Sequence, residues 1–147
     1  MKRTAKAIWK GNLRDGTGTL DTQSGALHSA PYSFKARFED ESGKAGTNPE
    51  ELLAAAHAGC FTMQLSHLLA EAGHPADKLE TSAAVSVEPK DGGGFRITRS
   101  DLTLTAHVPG IPEDVFDAIA GKAKTGCPLS VALQSIEITL TSTLNPG

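Results

Sequence analysis

The amino-acid sequence predicts an α+β fold in which antiparallel sheets wrap around long central helices. Three observations predict it. Strand-like alternation fills the first third of the chain and the stretch after residue 80, a long apolar helix separates them, and helices and strands come in blocks. The chain has 147 residues and a net charge of -3. We therefore expect a single domain over residues 1–147 and no strongly basic nucleic-acid-binding surface.

The first third of the chain predicts a short antiparallel meander. Alternating residues indicate strands over 4–10, 19–21 and 32–39, and glycines punctuate the segments between the first two. Residues 42–47 are polar and contain two glycines, which is typical of a loop.

The clearest helix start in the sequence follows this loop. Asn48 fits the N-cap and Pro49 the first helical position, while Glu50 and Glu51 place negative charge at the positive end of the helix dipole. Glycine and proline at positions 73 and 75 end the helix after about two dozen residues.

Residues 52–70 of this helix are apolar on nearly every face, which is typical of a helix buried in a core. Three polar residues and two histidines interrupt the stretch, so we expect no membrane-spanning helix. The charged amino terminus is followed by no apolar run of the kind a signal peptide contains. Two cysteines do not make a disulfide framework, and together these features predict a soluble, cytoplasmic protein.

The second half predicts two long strands over 81–89 and 95–108, joined by a glycine-rich hairpin turn at 91–94. A helix over 113–124 follows, then a short helix that begins at Pro128, and a last strand over 136–143. The glycines at 92–94 open no helix, so the sequence contains neither a P-loop nor a dinucleotide fingerprint.

The two cysteines differ in their predicted surroundings. Cys60 lies in the apolar helix, where a cysteine is most often a small core residue. Cys127 fits the N-cap before Pro128, where unpaired backbone N–H groups favour a thiolate. From local sequence alone Cys127 is the more activated thiol, and two such residues suggest a pair that cycles between dithiol and disulfide. A metal site that adds His57 is a weaker alternative, because the spacing of paired zinc ligands is missing.

The run over residues 47–61, TNPEELLAAAHAGCF, together with Gly126-Cys127-Pro128, resembles the OsmC/Ohr family. The segments at 31–39 and 108–111 resemble the OsmC branch more than the organic-hydroperoxide-resistance branch. The resemblance covers almost the whole chain and implies a single OsmC-like domain that forms an intertwined homodimer.

The resemblance also implies an activity, a thiol-dependent peroxidase that reduces organic hydroperoxides and, less efficiently, hydrogen peroxide. By it, Cys60 matches the family's reactive cysteine, Cys127 its resolving cysteine and Glu50 its active-site glutamate. Arg37 fits the arginine of the OsmC branch, whereas Arg14 lies in a segment like the other branch's loop; we favour Arg37, and the sequence leaves both open. No cofactor is implied, and the expected reductant is a dithiol of the dihydrolipoyl type.

Two further expectations concern the site. Cys60 can be activated only if a cation reaches it from elsewhere in the fold, because an apolar helix interior raises a thiol pKa. Glu50 and Cys60 are ten residues apart, or about 15 Å along one helix, so they can meet only between two subunits. A non-enzymatic thiol redox sensor or binding protein remains the alternative function.

Overall fold

The computed structural model describes all of residues 1–147. Its elements are, in chain order, β1 (Ala5–Lys10), β2 (Thr17–Thr22), β3 (Ala30–Tyr32), α1 (Phe34–Phe38), α2 (Pro49–Glu71), β4 (Lys78–Pro89), β5 (Phe95–His107), α3 (Glu113–Gly126), α4 (Pro128–Ala132) and β6 (Glu137–Leu144). The chain forms two compact units, Met1–Leu52 and Leu53–Gly147. The predicted α+β class is confirmed.

The first unit contains an antiparallel meander in the order β1-β2-β3, as predicted. Its packing requires a glycine at position 18, because an added Cβ would collide with the rings of Trp9 and Tyr32. These two rings lie with their centroids 5.4 Å apart. The edge strand β1 is exposed along nearly its whole length.

The predicted strand over 32–39 is wrong beyond Tyr32, because α1 occupies this segment. Ser33 caps the helix, and its hydroxyl accepts a hydrogen bond from the backbone N–H of Ala36 at 3.0 Å. The sequence pattern of this segment, in which apolar residues alternate with others, is also typical of a strand. In the helix, however, Phe34 and Phe38 are one turn apart and their ring centroids lie 5.1 Å from each other.

The second unit contains a sheet in the order β4-β5-β6. β4 and β5 form the predicted antiparallel hairpin. β6 pairs parallel to β5, so the expectation of purely antiparallel pairing is wrong in this unit. The physical reason is the connection, because α3 and α4 carry the chain back to the starting end of β5 before β6 begins.

α2 begins and ends close to the predicted positions. The Asn48 side chain accepts a hydrogen bond from the N–H of Glu51 at 2.7 Å, which is the predicted N-cap. The expectation that the helix is buried on all faces is wrong for the single chain, since only one face packs into the core. Phe61 and Leu65 are fully buried on that face, while Met63 is 77% exposed.

The core of the second unit lies between this face of α2, the sheet and α3. Its largest members come from α2, from β5 and from α3, and they are Phe61, Leu65, Leu69, Leu102, Leu104 and Phe116. By length and composition alone α2 could also cross a membrane, contrary to our expectation, although core helices of soluble proteins meet the same criteria.

We expect Leu65→Ala to lower the free energy of unfolding by about 2–5 kcal/mol, because it leaves a cavity in a fully buried site. Urea unfolding monitored by circular dichroism measures the change at matched protein concentration. Ser66→Ala, at the exposed next position of the same helix, should change stability by less than about 0.5 kcal/mol. Equal effects of the two substitutions would contradict this description of the core.

Candidate functional site

Cys127 joins two helices. Its backbone N–H donates to the carbonyl oxygen of Ala123 at 3.1 Å and ends α3. Its sulfur accepts a hydrogen bond from the backbone N–H of Ser130 at 3.3 Å and caps α4, which confirms the predicted N-cap position. The residue has 0% exposure, so this thiol is held by its helices inside the core.

Cys60 lies on α2 beside Cys127. It is partly exposed, packs against the core cluster that contains Cys127, and both cysteines are free thiols. Burial raises the pKa of the Cys60 thiol above its usual value, a hydrogen bond from the Leu129 backbone lowers it, and the contact with Cys127 raises it again. The sequence could not place these thiols together, since 67 residues separate them.

A buried histidine links α2 to the same region. His57 has 0% exposure, and its Nδ1 lies 2.7 Å from the hydroxyl of Ser100 on β5. Its Nε2 lies 2.9 Å from the hydroxyl of Ser130, which in turn lies 3.1 Å from the sulfur of Cys127. Sequence reasoning missed both serines. Only the position of Ser130, three residues after the capping Cys127, could have indicated one of them.

The hydrogen bonds of His57 do not favour the metal alternative. Both ring nitrogens face serine hydroxyls, and no three side chains of the metal-binding types come together anywhere in the chain.

In the first unit, Arg37 and Glu50 form an ion pair. The guanidinium Nε lies 3.2 Å and 3.1 Å from the two carboxylate oxygens, and Nη2 lies 2.6 Å from Oε1. Glu50, in the first turn of α2, is only 7% exposed. The guanidinium also lies 4.7 Å above the ring of Phe38. Glu50 of α2 therefore holds the Arg37 side chain by charge and hydrogen bonds, and Phe38 of α1 holds it by a cation–π contact.

Arg14 has different partners. Its guanidinium lies 3.7 Å from the carboxylate of Glu39, with 75% of its side chain exposed, and 5.0 Å from the ring centroid of Phe34. Of the two candidate arginines, Arg37 is therefore the one that pairs with Glu50 in this chain.

An aromatic cavity of about 250 Å³ opens beside Arg37 in the first unit. Its lining is mainly aromatic and consists of Trp9, Leu13, Tyr32, Ser33, Phe34, Arg37 and Phe38. Phe34 and Phe38 thus form part of the wall of this cavity.

Comparison with known proteins places these residues in a family. The model of the OsmC-like protein family matches residues 40–141. The chain belongs to the OsmC-like family. A curated relative, the peroxiredoxin OsmC of Escherichia coli (strain K12), is 48% identical over 140 residues, which cover 95% of this chain and 94% of that relative.

Relatives from the other branch are more distant. The organic hydroperoxide resistance protein of Xanthomonas axonopodis pv. citri (strain 306) is 35% identical over 102 residues, or 65% of this chain and 66% of that protein. The crystal structure of the organic hydroperoxide resistance protein OhrB of Bacillus subtilis superposes with a TM-score of 0.69 at 27% identity, covering 95% of this chain and 98% of that one. Both the resemblance and the closer match to the OsmC branch are confirmed.

We expect Glu50→Ala to lower the free energy of unfolding by about 1–3 kcal/mol, because it leaves the Arg37 guanidinium without its buried partner. Chemical unfolding of the variant measures this loss. Glu51→Ala, at the exposed adjacent position, should cost less than about 1 kcal/mol, mainly through the helix dipole. A Glu50→Ala protein as stable as Glu51→Ala would mean that the ion pair contributes nothing to the fold.

Proposed function

We propose that the protein is a cysteine-based peroxidase that reduces organic hydroperoxides and, less efficiently, hydrogen peroxide. The observation that carries the proposal is the pair of free thiols, Cys60 on α2 and Cys127 between α3 and α4, which share one core cluster and lie near enough that Cys127 raises the pKa of Cys60. Two adjacent thiols are what a peroxide-driven dithiol–disulfide cycle requires. The peroxiredoxin and hydroperoxide-resistance names of its relatives agree with this chemistry.

In the proposed cycle Cys60 is the reactive residue. Its thiolate attacks the distal oxygen of the hydroperoxide, the O–O bond breaks, and the alkoxide takes up a proton and leaves as the alcohol. Cys60 is then a sulfenic acid. The sulfur of Cys127 attacks it and loses its proton, the S–S bond forms, the S–O bond breaks, and the released hydroxide takes up a proton to become water. An external dithiol, of the dihydrolipoyl type by the family resemblance, reduces the disulfide.

Arg37 and Glu50 are the proposed activating residues, assigned by the resemblance and supported by their ion pair. The groups that shift the Cys60 pKa within the chain are burial, the Leu129 backbone and Cys127, and none of these is a cation. Activation therefore needs a positive charge, and a guanidinium can stabilise both the thiolate and the developing charge on the peroxide oxygens. The carboxylate of Glu50 holds that guanidinium by its oxygens.

The proposed assembly is a homodimer. Glu50 and Cys60 lie about 15 Å apart along α2, so the second subunit is the natural source of a carboxylate and its arginine near each thiol. Two exposed apolar residues agree with a covered surface, namely Met63 on α2 at 77% exposure and Ile8 on the edge strand β1 at 39%. The thiols of such an enzyme work in the reducing cytoplasm, where we propose that the protein resides.

The wild-type protein should reduce many equivalents of cumene hydroperoxide when supplied with dihydrolipoamide, faster than it reduces hydrogen peroxide. Cys60→Ser should abolish turnover, because the attacking sulfur is gone. Without the dithiol, Cys127→Ser should still consume one equivalent of peroxide per chain and then stop, because its Cys60 sulfenic acid has no thiol to react with. Peroxide consumption is measured by a ferrous oxidation assay. A thiol sensor would be oxidised once without turnover, and full activity in Cys60→Ser would exclude Cys60 as the nucleophile.

Arg37→Met should slow the reaction of Cys60 with cumene hydroperoxide by about 100-fold, because it removes the charge that stabilises the transition state. It should also shift alkylation of Cys60 by iodoacetamide to higher pH, since the thiolate loses its cation. Arg14→Met is the matched control and should change both by less than about twofold, as expected for an exposed arginine. The reverse order of the two variants would assign the role to Arg14.

A further inference from the structure

A continuous network of hydrogen-bonded, buried polar groups connects β5, through α2, to the proposed resolving thiol. Ser100, His57, Ser130 and Cys127 follow one another at 2.7, 2.9 and 3.1 Å. All four residues are 3% exposed or less. Apolar side chains at these positions would make the core at least as stable. The presence of this polar network therefore has an explanation other than stability.

All donors and acceptors of this network are satisfied when its hydrogen bonds point in one direction, from Cys127 towards Ser130 and His57 and from His57 towards Ser100. If Nδ1 of His57 donates to Ser100, then Nε2 is free to accept the hydroxyl hydrogen of Ser130. The hydroxyl oxygen of Ser130 can then accept the S–H of Cys127. Two coupled shifts along these bonds move the thiol proton to Nε2 and leave a thiolate that Ser130 hydrogen-bonds twice, through its hydroxyl and its backbone N–H.

We propose that Ser130 and His57 form a proton relay that accepts the thiol proton of Cys127 when the disulfide closes, an inference that rests on the proposed function. As the sulfur of Cys127 attacks the Cys60 sulfenic acid, its proton passes to Ser130 and the Ser130 proton passes to His57. The S–S bond forms, the S–O bond of the sulfenic acid breaks, and the hydroxide that leaves takes a proton from solvent and becomes water, while the thiol proton is held by His57. When the dithiol later reduces the bond, the same path returns the proton to Cys127.

In this relay Ser130 touches the reacting sulfur, while His57 acts through it and is a positioning residue. His57 is uncharged before the step, because burial lowers its pKa. Ser130 also lines a surface cavity of about 320 Å³ together with Lys124 and Gln134. The relay therefore has a site at which protons can exchange with solvent between turnovers.

Few other titratable groups surround the relay. The thiol of Cys60 lies on α2, one turn from His57, and Lys124 lies at the rim of the cavity. On β5, Arg99 and Asp101 flank Ser100, but they lie on the other face of the strand and bind each other at 2.7 Å. A pH response of the closure step therefore reports on His57 and the two thiols.

The test separates the two chemical steps in His57→Gln and Ser130→Ala. Each protein receives one equivalent of cumene hydroperoxide, and samples quenched over time are analysed by mass spectrometry for the Cys60 sulfenic acid, trapped with dimedone, and for the disulfide. Glutamine can keep both hydrogen bonds of His57 but cannot accept a proton. The control is Thr62→Val on the same helix, which removes a partly buried hydroxyl that bonds Thr81 at 2.7 Å outside the relay.

We expect sulfenic acid to form at the wild-type rate in both variants, while disulfide closure at pH 7 slows by at least about 10-fold. The difference should shrink at pH 10, where hydroxide from solvent can take the thiol proton in place of His57. Thr62→Val should close at the wild-type rate at both pH values.

Closure within twofold of wild type in both variants would overturn the relay, and so would a slowing that is equal at pH 7 and pH 10, which is the mark of a structural defect. If His57→Gln does not fold, Ser130→Ala alone decides, because it removes one oxygen and keeps the N–H bond to Cys127. A wild-type protein that forms no sulfenic acid on Cys60 would instead refute the proposed function, so the two failures are distinguishable.

Discussion

Cys127 forms the junction between α3 and α4, and this junction fixes where the two helices of the second unit end and begin. Its backbone is extended between two helices, so one residue ends α3 with its N–H and begins α4 with its sulfur. A thiol that caps a helix cannot leave its position without exposing backbone N–H groups. Its separation from Cys60 is consequently set by the packing of helices α2, α3 and α4, and the resolving role that we propose for Cys127 requires no mobile loop.

α2 carries three of the residues to which we propose a role in the reaction. Its first turn carries Glu50, and its middle carries His57 and Cys60 on the face that enters the core. Burial gives Cys60 a protected position but also raises its pKa, which works against a nucleophile. No cation is among the groups that shift the Cys60 pKa within one chain, and in the proposed function the Arg37–Glu50 ion pair supplies that charge.

The features that the sequence predicted well are those determined by neighbours along the chain. The start of α2 follows from Asn48 and Pro49, and the cap at Cys127 from the proline after it. The parallel pairing of β6 was missed because strand direction depends on a crossover, not on local pattern. The partners of His57 were missed for the same reason, as its two serines lie 43 and 73 residues away. The prediction at α1 was wrong for a different reason, because a segment of five residues fits both the helix and the strand periodicity.

In the proposed mechanism Cys60 and Cys127 of one chain form a redox couple, in which Cys60 attacks the peroxide and Cys127 then attacks the oxidised Cys60. Peptide mapping by mass spectrometry, after one equivalent of cumene hydroperoxide and alkylation of the remaining thiols, tests this couple. We expect a peptide pair linked by Cys60–Cys127 within a single chain, and a dimedone adduct on Cys60 in Cys127→Ser. A disulfide between two chains, or an adduct on Cys127 in Cys60→Ser with none on Cys60 in Cys127→Ser, would refute this mechanism.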